Sequence, residues 1–469
     1  MPREERVEVE LRDLIRPGTT RGLDFVILDE LRKRTGIAPQ EVLKFALAEM
    51  LCNALDKEDI TMINVDVQTE GEFHRLAASD NGSKKLTVKE LRLILDFESK
   101  ASSKRGLFMV SRGYLGNALK CIFGFSYALA ELRGLSPPPV IIRSGNHEYA
   151  ITLNPDRAKG VIDSRIVTTT RRDDGLTTFI VKFAADAVVP PGCALVLGDL
   201  IFATSMVNPS RKISHDIFGE NGTLGSEQAS SKAIRQETSV LWYTQKQFES
   251  LFEDFLRARP QTQLKEFMPL FRGFTSKKIM GEILQELTAA INHDSETNQN
   301  VQFFPATLIK DMSSQAVSKL SAIMKAKAKP IAKRSVPSVL GVVGKDSFER
   351  IREQNGWERL RHVVMPGIRV ECPEHDHGGE PCRNLDHVEF PFLIEVAIFD
   401  RRKDDQGGLK LYQCVNFMAS MEDIFSKIFN INYRLGRVTI SKDTPVTVVA
   451  HLVCPVLKWL NYGKSGLDE

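Results

Sequence analysis

The pattern of apolar and polar positions predicts a helix followed by a β-hairpin in the first part of the chain. Between Pro39 and Lys57 apolar residues recur at helical spacing, in a segment that has few polar positions. Residues 61–68 and 75–79 instead alternate apolar and polar side chains. This alternation predicts two strands, and the intervening stretch TEGEF is suited to the turn of a hairpin.

The next segments predict two more helices and four more strands. Residues 86–95 and 114–132 have helical periodicity, with the polar loop ESKASSKRGLF between them. From 139 to 183 four β-type runs are separated by Gly, Asn and Asp: VIIRSG, YAITLN, RIVTTT and TTFIVKF. This order predicts an α/β sandwich with a mixed, largely antiparallel sheet rather than a Rossmann-like alternation.

The second half of the chain predicts a helical module and then another α/β domain. Residues 243–325 have helical patterns throughout, and the stretch KAKAKPIAKRSVP after them has the composition of a basic linker. From 390 onward come the strand-like runs FPFLIEVAIF, LKLYQCVNF and TPVTVVAHLVC, around a predicted helix at 421–429. We therefore predict an α+β multidomain chain with domains at residues 1–235, 236–334 and 335–469.

Composition narrows the class of protein further. A chain with 42% hydrophobic and 26% charged residues is expected to fold, and a net charge of +3 excludes a polycationic tail. The first ten residues lack the apolar core of a signal peptide, and no apolar run is long enough to span a membrane. Seven scattered cysteines fit a reducing compartment. These features predict a cytoplasmic protein with no membrane partner.

Three segments carry candidate chemistry. Glu49, Asn53 and Asp56 are spaced i, i+4 and i+7 and so share one helical face. A solvent-exposed face has the same spacing, but this helix is otherwise apolar, and a buried carboxylate needs a partner or a function. The turn Asp80-Asn81-Gly82 follows a predicted strand, and RGYLGNA at 112–118 opens a predicted helix. Glycines at a helix N-terminus let backbone N–H groups approach phosphate oxygens, although they also serve ordinary helix starts.

In this order, the three segments resemble the ATP-site motifs of the gyrase, Hsp90, histidine-kinase and MutL (GHKL) superfamily. EMLCNALD resembles the first motif, DNGSK the second and SRGYLGNALK the third, while GLTT at 175–178 is similar to the Gly-Thr element that closes that site. The resemblance implies a Bergerat-type α/β sandwich ATPase domain that binds ATP and Mg²⁺.

Within that superfamily the chain looks most like the B subunit of topoisomerase VI. The resemblance includes Ser99-Lys100 before SRGYLG, the segment SMVNP at 205–209, and the strands PFLIEVAIF and LYQCVNF of a transducer domain. The helical module lies where that family has its helix–two-turn–helix domain.

The resemblance implies specific roles for the residues of the first domain. Glu49 would be the general base that deprotonates the attacking water, and Asn53 would offer its amide oxygen to Mg²⁺. Asp80 would accept the adenine amino proton, with Gly82 letting the backbone approach the ring. Asp56 is expected at the edge of the site, as a structural ion pair. The other implied nucleotide contacts are Lys100, Arg112, Gly113, Tyr114, Leu115, Gly116, Asn117, Ala118 and Thr177.

A lysine of the last domain is the second implied catalytic residue. HLVCPVLKWLNYGKSG resembles the transducer loop that touches the γ-phosphate, and Lys464 falls on its lysine. A solvated lysine is the alternative interpretation. Lys84 and Ala118 replace glycines of the family motifs. The family's transducer continues into a long helix, whereas this sequence ends five residues after Lys464. A partner other than the family's cleavage subunit is therefore an open alternative.

The resemblance implies an ATP-hydrolysing subunit of a type IIB DNA topoisomerase. Such a subunit dimerises through its ATPase domains when ATP is bound, forms a gate around duplex DNA and works with a Toprim-containing cleavage subunit. The alternative is a MutL- or MORC-like, ATP-switched DNA clamp or scaffold without that partner, for example in genome defence. An Hsp90-like chaperone is a third reading that the basic linker argues against.

A Cys/His cluster and a basic run each allow two interpretations. Cys372, His375, His377, Cys382 and His387 could form a zinc site, but their spacing matches no common finger, and a glycine-rich loop tolerates such residues. The basic run Lys325, Lys327, Lys329, Lys333 and Arg334 fits a solvated linker or a set of phosphate contacts on DNA.

Overall fold

The computed structural model describes residues 22–57, 59–98, 107–110, 117–188, 192–226, 237–294, 301–371, 388–402, 407–421, 434–435, 438–439 and 443–457. Within these ranges the chain forms two compact units. Residues 239–329 make the smaller unit, and residues 21–238 together with 330–469 make the larger one. The three-domain division predicted at 235 and 334 stays a prediction.

Helices and strands of the described residues follow one another in mixed order. The helices are α1 (Leu28–Thr35), α2 (Val42–Leu55), α3 (Val88–Ile94), α4 (Ala118–Leu132), α5 (Ala185–Val188), α6 (Cys193–Met206), α7 (Gln245–Ala258), α8 (Leu264–Phe267), α9 (Lys277–Asp294), α10 (Ser314–Lys327), α11 (Val336–Leu340) and α12 (Lys345–Gln354). The strands are β1 (Met62–Glu70), β2 (Phe73–Asp80), β3 (Val140–Ser144), β4 (His147–Asp156), β5 (Val161–Thr170), β6 (Thr177–Ala184), β7 (Lys212–Ile217), β8 (Glu220–Leu224), β9 (Arg359–Glu371), β10 (Val388–Asp400), β11 (Lys410–Val415), β12 (Met418–Ala419), β13 (Arg434–Leu435), β14 (Val438–Thr439) and β15 (Val446–Val453).

The first sheet of the larger unit has eight strands in the order β5-β4-β3-β6-β2-β1-β7-β8. Every neighbouring pair is antiparallel except β1 and β7, which run parallel. The hairpin of β1 and β2 closes through two residues, and Gly71 takes the left-handed φ of 60° that such a tight turn requires. The predicted mixed, largely antiparallel sheet is confirmed.

Helices α2, α4 and α6 cover one face of this sheet by packing on β2, β6 and β7 respectively. Apolar side chains of β1 and β2 point toward them: Ile63, Val65, Val67, Leu76 and Ala78. In α4, a side chain at Gly124 would place its Cβ 1.7 Å from the carbonyl oxygen of Phe25. Gly124 therefore lets the segment before α1 lie directly against α4.

The second sheet has five strands in the order β12-β11-β15-β10-β9. Strand β15 lies at its centre, antiparallel to β10 and parallel to β11, and every residue of β15 is buried. A strand that is buried on both faces requires a continuous apolar run, and VTVVAHLV is nearly one. The larger unit is thus a mixed α+β structure with one large, mostly antiparallel sheet and a second, smaller sheet.

A buried carboxylate joins the second sheet to the loop before α12. Glu395 of β10 accepts hydrogen bonds from the backbone N–H groups of Val343 and Gly344, both at 2.9 Å, and contacts His362 at 2.9 Å and His451 at 3.5 Å. Burial raises the pKa of Glu395, but the bonds from His451, Gly344 and Val343 outweigh it and hold the pKa at about 2. Its stabilisation is therefore present above about pH 4.5 and is lost as the pH falls toward 2.

Helix α6 packs against strands of both sheets, contacting β7 and β8 on one side and β11 and β12 on the other. Two hydrogen bonds fix this arrangement: Tyr412 donates to the Asp199 carboxylate at 3.0 Å, and Asn208, just after the helix, donates to the carbonyl oxygen of Phe417 at 2.7 Å. One large apolar cluster consequently includes residues of both sheets.

The smaller unit is helical, as the periodicity of residues 243–325 predicts. Its core is a group of aromatic rings with centroids 5.2–6.0 Å apart: Tyr243, Phe248, Phe252, Phe255, Phe267 and Phe271. The predicted basic linker is shorter than expected, because Lys325 and Lys327 belong to α10 and only residues 328–332 are irregular. Lys327 pairs with Glu286 at 2.9 Å.

Other sequence predictions have mixed outcomes. The strands predicted between 139 and 183 and the helix at 86–95 are confirmed, with α3 slightly shorter than predicted. Helices α6 and α12 and strands β7, β8 and β9 were not predicted. The helix predicted at 421–429 lies almost wholly outside the described residues. Of the helices that the structure describes, none combines the length and the apolar character needed to cross a membrane.

Replacing a buried residue of α6 should destabilise both sheets together. We expect Ile201→Ala, at a fully buried position in the shared core, to lower the free energy of unfolding by about 2–5 kcal/mol. Leu195→Ala on the same helix is the control, because Leu195 is 69% exposed and its loss should change stability by less than about 0.5 kcal/mol. Urea denaturation measures both, and equal midpoints for the two variants would contradict the packing described for α6.

Candidate functional site

Helix α2 carries the first candidate side chains and is almost entirely buried. It packs against β2, α4 and α6, and Glu49 is the only charged residue among its buried positions. Asn53 and Asp56 are half-buried. Because Asn53 follows Glu49 by one helical turn, these two side chains share a face. Because burying a carboxylate among apolar side chains costs free energy, its presence here indicates a structural or functional role.

The Glu49 carboxylate lies near the first turns of α4. Burial raises the pKa of the Cys121 thiol to about 12, and the negative charge of Glu49 acts in the same direction. Cys121 follows Asn117 by one helical turn and donates its backbone N–H to the Asn117 carbonyl oxygen at 3.0 Å. Glu49 is therefore close to the end of α4 at which the glycine-rich segment enters.

Asp80 is the last residue of β2 and is 5% exposed. Its carboxylate accepts hydrogen bonds from the Lys57 ammonium at 2.6 and 2.7 Å and from the backbone N–H of Gly82 at 2.9 Å. The Asn81 side chain fixes the turn, because its amide oxygen accepts from the N–H groups of Thr61 and Met62, both at 3.0 Å. The sequence analysis did not identify Lys57 as a partner of Asp80.

Thr177 lies beside Asp80 across two paired strands. The register of β2 and β6 places the two residues directly opposite each other, so that their side chains lie on the same face of the sheet. Thr177 is fully buried, and its hydroxyl lies 3.3 Å from that of Ser144 on β3. The structure thus brings together the second motif and the Gly-Thr element at one end of neighbouring strands.

Lys85 joins these two segments and was also missed by sequence reasoning. Its ammonium donates to the carbonyl oxygen of Gly175 at 2.8 Å and to that of Gly82 at 3.3 Å. Gly175 has a φ of 77°, which a glycine adopts without strain. Nothing in the local sequence indicates the contact, because 90 residues separate Lys85 from Gly175.

The N-terminal end of α4 holds two buried polar side chains. Asn117 precedes the helix and is 1% exposed, and its amide nitrogen Nδ2 has no hydrogen-bond partner among the described residues. Ala118 is the first helical residue. Lys120 is fully buried and donates to the carbonyl oxygen of Asp96. A free amide donor and a lysine near a helix N-terminus favour an anion at this position.

Several predicted site residues lie outside the described part of the chain. They are Lys100, Arg112, Gly113, Tyr114, Leu115, Gly116 and Lys464, together with the candidate zinc ligands Cys372, His375, His377, Cys382 and His387. The roles inferred for them stay predictions. Within the residues that the structure describes, no group of three or more His, Cys, Asp or Glu side chains is placed to hold a metal ion.

Comparisons with known proteins assign no family to the chain. No family model and no curated protein matches it. Among solved structures, it is similar to the B subunit of DNA gyrase from Myxococcus xanthus, at 8% identity and a TM-score of 0.38, covering 93% of this chain and 87% of that one. It is also similar to the ATPase region of Saccharomyces cerevisiae topoisomerase II, at 10% identity and a TM-score of 0.34, covering 91% and 76%. Likenesses at this level define neither a family nor a function, so the functional assignment rests on the residues of the site.

The buried lysine of α4 generates a prediction about stability. Burial lowers the pKa of Lys120 to about 8, below its ordinary value of 10.5. Between these two values the unfolded chain binds one more proton than the folded chain, so the contribution of Lys120 to stability should rise with pH. We expect Lys120→Met to remove this rise. Chemical denaturation of both forms from pH 7.5 to 10.5 measures it, and parallel pH profiles would contradict the prediction.

Proposed function

We propose that the chain is an ATP-binding and ATP-hydrolysing protein with a GHKL-type nucleotide site. Base recognition is assigned to Asp80 and Gly82, hydrolysis to Glu49, and phosphate binding to the N-terminal end of α4. These assignments follow the three sequence motifs, and each described member of the motifs occupies a position compatible with its role.

The main support for the proposal is that α2 runs between two chemically different parts of the site. Lys57, just past the C-terminal end of the helix, contacts the Asp80 carboxylate, whereas Glu49 lies near the start of α4. Eight residues of helix span about 12 Å along the axis. A ligand that reaches both places must be elongated, with a hydrogen-bond donor at one end and an anion at the other. A nucleoside triphosphate with an amino-bearing base meets this description.

The residues present also fit the chemistry of hydrolysis. When bound, Mg²⁺ would neutralise phosphate charge, and the Asn53 amide oxygen is a hard ligand that suits it. Glu49 is buried one turn before Asn53 and can orient and deprotonate a water molecule. The Nδ2 of Asn117, which has no hydrogen-bond partner within the described part of the chain, supplies a donor for a phosphate oxygen, and the N-terminus of α4 favours negative charge there. Thr177 lies beside Asp80, at the base end of the site.

The finer proposal is a subunit of a type IIB, topoisomerase VI-like DNA topoisomerase. ATP would bring two copies together through their ATPase domains and close a gate around duplex DNA, with a Toprim-containing partner cleaving the DNA. Lys464 would sense the γ-phosphate from the second α/β region. The resemblance of SRGYLG, SMVNP and the transducer-like strands supports this version of the proposal.

Loss of the general base should stop hydrolysis without preventing binding. We expect Glu49→Gln, which keeps the size of the buried side chain, to lower kcat for ATP hydrolysis about 10²- to 10⁴-fold. ATP affinity should stay close to that of the natural chain, because Gln can still occupy the pocket. Steady-state phosphate release and calorimetric titration measure the two quantities.

Glu41→Gln is the matched control for this test. Glu41 is an exposed carboxylate at the start of the same helix, and Gln at this position keeps the hydrogen bond to the Ala38 N–H. Its turnover should equal that of the natural chain. A Glu49→Gln protein that hydrolyses ATP at the normal rate would remove Glu49 from the reaction.

Nucleotide binding should change the association state if the chain is a clamp. We expect a non-hydrolysable ATP analogue with Mg²⁺ to convert monomer to dimer, because a ligand with higher affinity for the closed state shifts the equilibrium toward it. Light scattering of the full chain with and without analogue measures the mass. An unchanged mass would contradict the clamp, and purification of the natural protein without a Toprim-containing subunit would contradict the topoisomerase version.

A further inference from the structure

Lys57 occupies the position at which the proposed function requires the adenine base. Its ammonium contacts both oxygens of Asp80, and both side chains are largely buried, at 20% and 7% exposure. The stem of the lysine lies above Gly82, because a Cβ added to that glycine would be 2.6 Å from the Lys57 Cδ. The ammonium therefore occupies the hydrogen-bond acceptor Asp80, and the stem occupies the adjacent space over the Gly82 backbone.

We propose that Lys57 is a gate on the base-recognition carboxylate, which the nucleotide base must displace in order to bind. This inference rests on the proposed function. A buried carboxylate needs a donor, and Lys57 provides one before the ligand arrives. Adenine brings an exocyclic amino group that can replace the ammonium as donor. Guanine presents an acceptor oxygen at that position, so it would displace Lys57 and leave Asp80 without a donor.

The displaced lysine has a second carboxylate within reach. Asp59 follows Lys57 by two residues and is exposed. Hydrogen bonds from Ser83 lower the pKa of the Asp59 carboxyl, and the charge of Lys57 acts in the same direction. A flexible four-carbon stem lets the ammonium move from the Asp80 carboxylate to the Asp59 carboxylate with little backbone movement. The gate can therefore open by a change of side-chain rotamer.

Removing the ammonium should make adenine nucleotides bind more tightly. We expect Lys57→Met, which keeps the stem length without the charge, to bind a non-hydrolysable ATP analogue with Mg²⁺ about ten-fold or more tightly. The physical reason is that Asp80 lacks a strong donor in the free variant and regains one only with the base. The matching guanine analogue should gain by a similar factor, because it also no longer has to displace Lys57, and it should still bind more weakly than the adenine analogue. Calorimetric titration of the full chain measures both affinities.

Two further variants keep the test decisive. Lys57→Arg should weaken binding of the adenine analogue several-fold, because a guanidinium grips a carboxylate through two parallel bonds. The Lys57→Arg variant also tests the gate if Lys57→Met does not fold. Lys159→Met removes the same charge from an exposed lysine outside the site motifs, which pairs with Asp156 at 2.9 Å, and it should leave the affinity unchanged.

The outcomes separate the gate from the proposed function. Equal or weaker adenine binding by Lys57→Met, or tighter binding by Lys57→Arg, would overturn the gate while leaving the nucleotide site in place. A gain for the adenine analogue without one for the guanine analogue would also overturn the gate, because the cost of displacing Lys57 is common to both bases. Failure of the natural chain and of all variants to bind either analogue would overturn the proposed function, and the gate with it.

Discussion

Burial of α6 on two opposite sides is the constraint on which the larger unit depends. A helix with the sequence CALVLGDLIFATSM has one charged residue, Asp199, so most of its surface is apolar and is stabilised by apolar partners. The first sheet supplies one surface and the second sheet supplies the other. The polar contacts of Tyr412 and Asn208 both join the helix region to the second sheet, whereas its contact with the first sheet is made by packing against β7 and β8.

Two buried carboxylates show how the fold accommodates charge within this apolar frame. Glu395 takes its donors from two backbone N–H groups and two histidines of its own region. Asp80 instead depends on one long, flexible lysine and a single backbone N–H. The donors of Glu395 are thus held by several separate chain segments, whereas the main donor of Asp80 is one side chain that can rotate.

Sequence alone predicted much of the first sheet, because its strands alternate apolar and polar residues and are separated by turn residues. The face shared by Glu49 and Asn53, and the position of Asp80 at the end of a strand, were also accessible from spacing and order. Helix α6 was not, since apolar residues occupy its exposed as well as its buried positions and so give no helical periodicity to detect. The Lys57–Asp80 pair and the cluster at Glu395 were missed for another reason. Their members are 23 to 56 residues apart, and only the tertiary structure brings them together.

The position of β15 determines when the second sheet can form during synthesis. This strand is the last described one along the chain, yet it occupies the centre of its sheet and joins β10 to β11. Until residues 446–453 leave the ribosome, β10 and β11 each have an unpaired edge of apolar strand. Nascent chains that pause before this point would expose surfaces prone to strand pairing with other chains. Strands β10 and β11 therefore cannot take their final places in the sheet until β15 is available to pair with both.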